Sequence, residues 1–174
     1  MNNVQKILGI DIDGVITDEG EDEDNIWFNA LCNHFGEEIE RKNDVFDFRE
    51  AYNLTEKEME NFIKKNIEDI YKKVAPVSEV NEILRELKEL GFTLILITAR
   101  DKKFRELTLN WLKKHKIPFD KLIHEENKAP LACENNIELF IEDNKENTIQ
   151  LIKYGIPVIV MDKYHNKNRK SNHQ

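Results

Sequence analysis

A short apolar stretch, Ile7–Ile10, runs directly into Asp11-Ile12-Asp13-Gly14, and no comparable buried strand follows until Phe92. That gap is the strongest constraint on the fold. Ile7–Ile10 reads as a buried strand and the acidic tetrapeptide as the turn that ends it. Phe92-Thr93-Leu94-Ile95-Leu96-Ile97-Thr98 is a continuous apolar run with β-branched residues, which suits a strand covered on both faces. A crossover between parallel strands needs about a dozen residues or somewhat more, whereas roughly 80 separate these two. The surplus predicts a small α-helical cap inserted over residues 18–74. Residues 1–17 and 75–174 then form an α/β core.

The remaining pattern agrees with that division. Ile26 to Tyr71 looks helical, with a capping box at Thr55-Glu56-Lys57-Glu58 followed by a helix-spaced stripe of Met59, Phe62, Ile63, Ile67 and Ile70. Beyond Pro76, Val80, Ile83, Leu84, Leu87 and Leu90 form a second stripe, closed by Gly91. Asp101 can cap a helix carrying Phe104, Leu107 and Trp111. Leu122–Ile123 is a weak short strand, and Leu139-Phe140-Ile141 is another that ends in acids. A helix from about Asn147 to Tyr154 and a last strand at Val158–Met161 complete the set, before a polar tail from Lys163. Strand and helix alternating in this way predict a parallel sheet flanked by helices.

Charge narrows the function. The formal net charge is −8, with 34% charged residues, and Lys and Glu alternate through most helices. No concentrated basic face is visible, so a nucleic-acid polymer is not an expected partner. An anionic substrate needs a local cation, either a side chain or a metal. Cys32 and Cys133 are the only cysteines and read as buried, reduced thiols. Met1 to Lys6 is no signal peptide, and no apolar run approaches the roughly 18 residues of a membrane span. A cytoplasmic protein without a membrane partner is expected.

Polar residues end three of the strands: Asp11 and Asp13, then Thr98, then Glu142 with Asp143. Ligands bind at the carboxyl edge of open α/β sheets, so these groups should converge on one crevice. A carboxylate repels a phosphate dianion unless a cation offsets both, and a hard ion such as magnesium suits carboxylate, water and phosphate oxygens. Asp11 is then the nucleophile that takes up the phosphoryl group. Asp13, two residues on, is placed to protonate the leaving oxygen and later to activate water. Thr98 can hydrogen-bond a phosphoryl oxygen. Lys128, at a plausible helix start, is the candidate to offset negative charge in the transition state, with Lys121 and Lys145 as competitors. An EF-hand starting at Asp11 fails because Val15 and Thr17 fall at ligand positions, and the histidine spacing supports no zinc site.

Ile10-Asp11-Ile12-Asp13-Gly14-Val15, Ile97-Thr98-Ala99-Arg100, Lys128 and Ile141-Glu142-Asp143-Asn144 resemble the four motifs of the haloacid dehalogenase superfamily of phosphatases. The match spans residues 7 to about 161. The resemblance implies a Rossmann-like sheet, magnesium and hydrolysis of phosphomonoesters through an aspartyl-phosphate. It also implies that Asp11, Asp13 and an acid of the last motif hold the metal. The usual last motif is Asp-Asp or Gly-Asp, so both Glu142 and Asp143 stay open as that acid. Thr98, Ala99, Arg100 and Lys128 are the expected contacts of the substrate phosphate.

The insert, together with Thr98-Ala99-Arg100 and Glu142-Asp143-Asn144, resembles the 5'(3')-deoxyribonucleotidase group and its bacterial relatives. That resemblance implies a nucleoside monophosphate as the small phosphorylated substrate. Trp27, Phe28, Phe46, Phe48 and Tyr52 in the insert can stack a base or can form the insert's own core. Three alternatives remain: a phosphatase of a small sugar or acid phosphate, a receiver-like domain that stores phosphate on aspartate, and a silent binding module.

Overall fold

β1 (Lys6–Ile10) is the central strand of a five-stranded sheet in the order β5-β4-β1-β6-β7. The partners are β4 (Phe92–Thr98), β5 (Lys121–His124), β6 (Leu139–Glu142) and β7 (Val158–Val160), and every pairing is parallel. The computed structural model describes residues 6–21, 24–36, 39–43, 45 and 47–163. Phe46 and the tail beyond Lys163 lie outside the described residues.

The apolar strands are covered on both faces, as their composition predicts. Leu8, Ile10, Leu94 and Leu96 bury against Trp111 and Leu112 of α5 (Arg105–Lys114) and Leu84 of α4 (Val80–Glu89). Ile95, Ile97 and Phe140 point the other way, onto Ala129 and Ala132 of α6 (Lys128–Glu134) and Leu151 of α7 (Lys145–Lys153). Each fully buried Leu, Ile or Phe contributes about 1.5–3 kcal/mol. Gly9 is forced by this packing: a Cβ there would overlap the Phe140 ring and the end of Ile137.

Between β1 and β4 the chain leaves the core through β2 (Thr17–Asp18) and returns through β3 (Ala75–Pro76). These two short strands pair antiparallel, Thr17 with Pro76 and Asp18 with Ala75. In between lie α1 (Ile26–Phe35), α2 (Phe48–Tyr52) and α3 (Glu56–Lys73), which bury a cluster of their own around Leu31, Ala51, Tyr52, Phe62 and Ile70. The Thr55 capping box forms as expected, with Thr55 Oγ1 and the Glu58 carboxylate each satisfying the other's backbone N–H. The near-continuous helicity expected over residues 26–71 does not form. Gly36 ends α1 with φ of 104°, and Asn53 ends α2 in the left-handed region at φ 52°. The return strand is tied to the core where the Trp111 indole N–H donates to the Val74 carbonyl at 2.8 Å.

Two smaller expectations shift. The last helix begins at Lys145, because the Asn144 side chain accepts from the N–H groups of Glu146 and Asn147. Cys133 is exposed rather than buried, since α6 turns Ala129 and Ala132 inward, and Cys32 is half-buried. Among the described residues no helix is long and apolar enough to cross a membrane.

Candidate active site

Register brings the strand tips together. Ile10 is paired with Leu96 on one side and Ile141 on the other, and the Asp11 N–H donates to the Ile141 carbonyl at 3.0 Å. Asp11, Thr98, Glu142 and Asp143 therefore emerge at the same sheet edge. Behind Asp11 the chain winds around one acceptor: the N–H groups of Val15, Ile16 and Thr17 all reach the Ile12 carbonyl, at 3.3, 2.9 and 3.0 Å. The Thr17 hydroxyl donates to the same carbonyl at 3.2 Å and accepts from Gly14 N–H at 3.0 Å. Gly14 sits at φ 73°, and a Cβ there would collide with the Asp143 carboxylate. The glycine thus lets the first turn approach the tip of β6.

Lys128 stands at the centre. Its Nζ donates to Asp11 Oδ2 at 2.6 Å and to Glu142 Oε2 at 2.8 Å, and its side chain is 1% exposed. Of the competing lysines, Lys121 is exposed and bonds the Asn135 side chain, and Lys145 is exposed on α7. Lys128, the first residue of α6, is the one aimed inward, whereas Lys121 starts β5 and Lys145 starts α7. Glu142 is fully buried, and its second oxygen accepts from Asn144 N–H at 3.1 Å and Asn147 Nδ2 at 3.2 Å. Asp143, also buried, faces the Gly14 turn.

Thr98 is buried, and its hydroxyl accepts from Arg100 N–H at 3.2 Å. Ala99 is exposed, so only its backbone can offer a polar contact. Arg100, an expected contact of the substrate phosphate, meets a carboxylate within the chain. Its side chain is buried and donates to both Asp13 oxygens at 2.6 and 2.8 Å. Sequence reasoning also passed over Glu19. It lies just past β2 and is influenced by Asp13 and Asp143.

The electrostatics are unbalanced. Among the described residues, the five carboxylates of Asp11, Asp13, Glu19, Glu142 and Asp143 face the two buried cations Lys128 and Arg100, with Lys163 also acting on Glu19. Burial raises the Asp11 carboxyl well above its ordinary value, opposed by Lys128 and reinforced by Glu142 and Asp13. Burial also works against the Lys128 charge, but Asp11 and Glu142 more than offset it and raise its pKa. Glu19 is pushed up to about 7 by burial and by Asp13. Asp11, Glu142 and Asp143 each offer a carboxylate oxygen, and these atoms lie within 4.8 Å of one another. This all-oxygen, net-negative donor set fits a hard divalent cation such as magnesium.

Of the aromatics singled out in the insert, the four described ones, Trp27, Phe28, Phe48 and Tyr52, pack against one another. Trp27 and Phe48 have ring centres 5.4 Å apart, Phe48 and Tyr52 5.8 Å, and Phe28 and Tyr52 6.4 Å. Tyr52 is buried, whereas Trp27, Phe28 and Phe48 stay partly accessible.

The comparisons with known proteins agree with this geometry. A Bacillus subtilis (strain 168) candidate nucleotidase is 32% identical over 165 residues, which cover 92% of this chain and 82% of the relative. A haloacid dehalogenase-like hydrolase from Streptococcus pneumoniae shares the fold with a TM-score of 0.67 at 15% identity, over 90% of this chain and 84% of that one. An enzyme of the same superfamily from Bacteroides thetaiotaomicron, solved with magnesium and inorganic phosphate, superposes with a TM-score of 0.56 at 17% identity, over 97% and 99% of the two chains. Residues 5–173 match the family described as 5' nucleotidase, deoxy (pyrimidine), cytosolic type C protein. The chain has the fold of haloacid dehalogenase-like hydrolases and belongs to that nucleotidase family, and is a phosphatase.

Proposed function

We propose that this phosphatase hydrolyses nucleoside 5'-monophosphates through a phosphoryl group carried on Asp11. The observation that carries the reading is the buried Asp11–Lys128–Glu142 chain, with Asp143 beside it. A buried carboxylate paired with a lysine, at a sheet edge where substrates bind, suits attack on an anion.

In this reading an oxygen of Asp11 forms a bond to phosphorus as the bond to the leaving oxygen breaks, and Asp13 gives that oxygen its proton. Water then attacks the phosphoryl group, Asp13 takes the water proton, and the Asp11–phosphorus bond breaks to release phosphate. Lys128 offsets charge on the phosphoryl oxygens, and Thr98 offers them a hydroxyl. Magnesium, when bound, would neutralise the repulsion between carboxylate and phosphate. Asp11 and Asp143 would hold it, with Asp13 available from the same turn. Glu142 has both oxygens engaged by Lys128, Asn144 and Asn147, which favours Asp143 as the ligand and Glu142 as the group that holds Lys128.

Residues 18–74 would act as the cap over this site. Their separate apolar cluster and the β2–β3 tie at their base support that role. The partly accessible Trp27, Phe28 and Phe48 offer faces for a base, and family membership supports a nucleotide. A panel of phosphate esters assayed with magnesium tests the substrate. Nucleoside 5'-monophosphates should exceed sugar phosphates and acid phosphates in kcat/KM by at least about tenfold, or about 1.4 kcal/mol. Equal rates across the panel would remove the nucleotide and leave a phosphatase of another small ester.

A further inference from the structure

Arg100 is held on every side. Its Nε and Nη2 donate to the two Asp13 oxygens at 2.8 and 2.6 Å. This parallel fork fixes the direction of a carboxylate as well as offsetting its charge. Nη1 reaches Thr108 Oγ1 at 3.5 Å, and the backbone N–H donates to Thr98 Oγ1. The Arg100 carbonyl accepts from His124 Nδ1 at 2.9 Å, and since a carbonyl only accepts, Nδ1 is the protonated ring nitrogen. One face of the guanidinium lies 3.9 Å from the centre of the Tyr71 ring. Tyr71 comes from α3, in the inserted segment, and is itself wedged edge-on by Trp27 and Phe104, at 6.3 and 5.5 Å between ring centres.

The two sides of this pair differ in exposure. The Arg100 side chain is 0% exposed and that of Asp13 is 31%. The fork grips Asp13 from the buried side and leaves its outer face open toward the crevice. A substrate phosphate could reach the same nitrogens only by displacing Asp13.

We propose that Arg100 is a positioning residue that aims the Asp13 carboxylate at the leaving oxygen, and that Tyr71 is the wall that keeps the guanidinium in that plane. The inserted helices then contribute to the chemistry through Tyr71, behind the site, as well as by covering it. This rests on Asp13 being the acid/base of the proposed reaction. Removing Arg100 frees the carboxylate to rotate, and a mis-aimed acid costs most where the leaving oxygen most needs a proton.

The test compares kcat/KM on p-nitrophenyl phosphate, whose leaving group departs with little protonation, and on a nucleoside 5'-monophosphate, whose alkoxide does not. Wild type, Asp13→Asn, Arg100→Gln, Arg100→Lys and Tyr71→Leu are assayed with saturating magnesium. General acid catalysis contributes about 10²–10⁴-fold, so Asp13→Asn should lose at least about tenfold more on the nucleotide than on the aryl ester. Arg100→Gln should reproduce that selective loss, at about fivefold or more, with KM for either ester changed by less than about threefold. Arg100→Lys should recover part of it, and Tyr71→Leu should show the same selectivity at smaller size. Equal losses on both esters in Arg100→Gln, or a raised KM with kcat intact, would overturn the proposal in favour of a structural or phosphate-binding role. If Arg100→Gln does not fold, Tyr71→Leu and Arg100→Lys decide by the same criterion. Should Asp13→Asn itself lose equally on both esters, the acid/base assignment fails and takes this proposal with it.

Discussion

Lys128 Nζ lies 2.6 Å from Asp11 Oδ2 and 2.8 Å from Glu142 Oε2, a single buried cation shared by two buried carboxylates. Removing one member of such a group leaves the others charged and unpaired, at a cost of about 3–5 kcal/mol. Lys128→Met should therefore lose stability of that order in urea denaturation. It should also lose at least about a hundredfold in kcat/KM, because the phosphoryl oxygens lose their lysine. Activity within twofold of wild type would contradict the assignment.

The same geometry separates Glu142 from Asp143. Magnesium at a hundred times its dissociation constant should stabilise the wild type by about 2.7 kcal/mol in a thermal melt. Asp143→Asn should abolish that stabilisation. Glu142→Gln should keep most of it while losing turnover, since its oxygens hold Lys128, Asn144 and Asn147. The opposite pattern would make Glu142 the ligand.

Glu19 makes folding stability depend on pH. Burial, then the Asp13 charge, raises its carboxyl from 4.5 to about 7. Between those values the native state holds a proton that the unfolded state has already released. Native stability therefore falls as pH rises from about 4.5 to about 7, and the loss persists above that range. Glu19→Gln cannot release that proton. In metal-free buffer it should gain about 1–2 kcal/mol over wild type between pH 4.5 and 8, after discounting for the partial exposure of the site. A difference that stays constant with pH would rule out Glu19 as the source.

Gly9 and Phe140 are coupled across β1 and β6. Gly9→Ala forces a methyl group into the Phe140 ring and should cost about 1–3 kcal/mol. Adding Phe140→Leu should recover part of that loss, so the double variant is more stable than the sum of the two single changes implies. Strict additivity in chemical denaturation would mean that the ring moves aside freely.

The sheet was legible because its strands are continuous apolar runs ending in acids, and β4 falls at the expected Phe92–Thr98. The long interval before it reads as an insert from chain length alone, and α1, α2 and α3 lie within it. Lys128 could be named as a candidate because it opens a helix between β5 and β6, but only its burial in the fold separates it from the exposed Lys121 and Lys145. The Arg100–Asp13 fork was not legible. The two residues are 87 positions apart, and nothing local distinguishes a buried arginine from one that meets phosphate. Tyr71 belonged to no motif, and its ring gains meaning only when α3 packs beside α5. Helical composition overrode the breaks after α1 and α2, where Gly36 and Asn53 adopt positive φ.

The covalent step on Asp11 can be tested by quenching the enzyme during turnover of a nucleoside monophosphate, reducing with borohydride and sequencing the peptides by mass spectrometry. An acyl phosphate at Asp11 is reduced to homoserine at that position, and the expected result is homoserine there and nowhere else, with none formed in Asp11→Asn. Steady turnover with no modified residue, or modification at a different carboxylate, would contradict the account. A phosphorylated Asp11 that never turns over would point instead to a domain that stores phosphate.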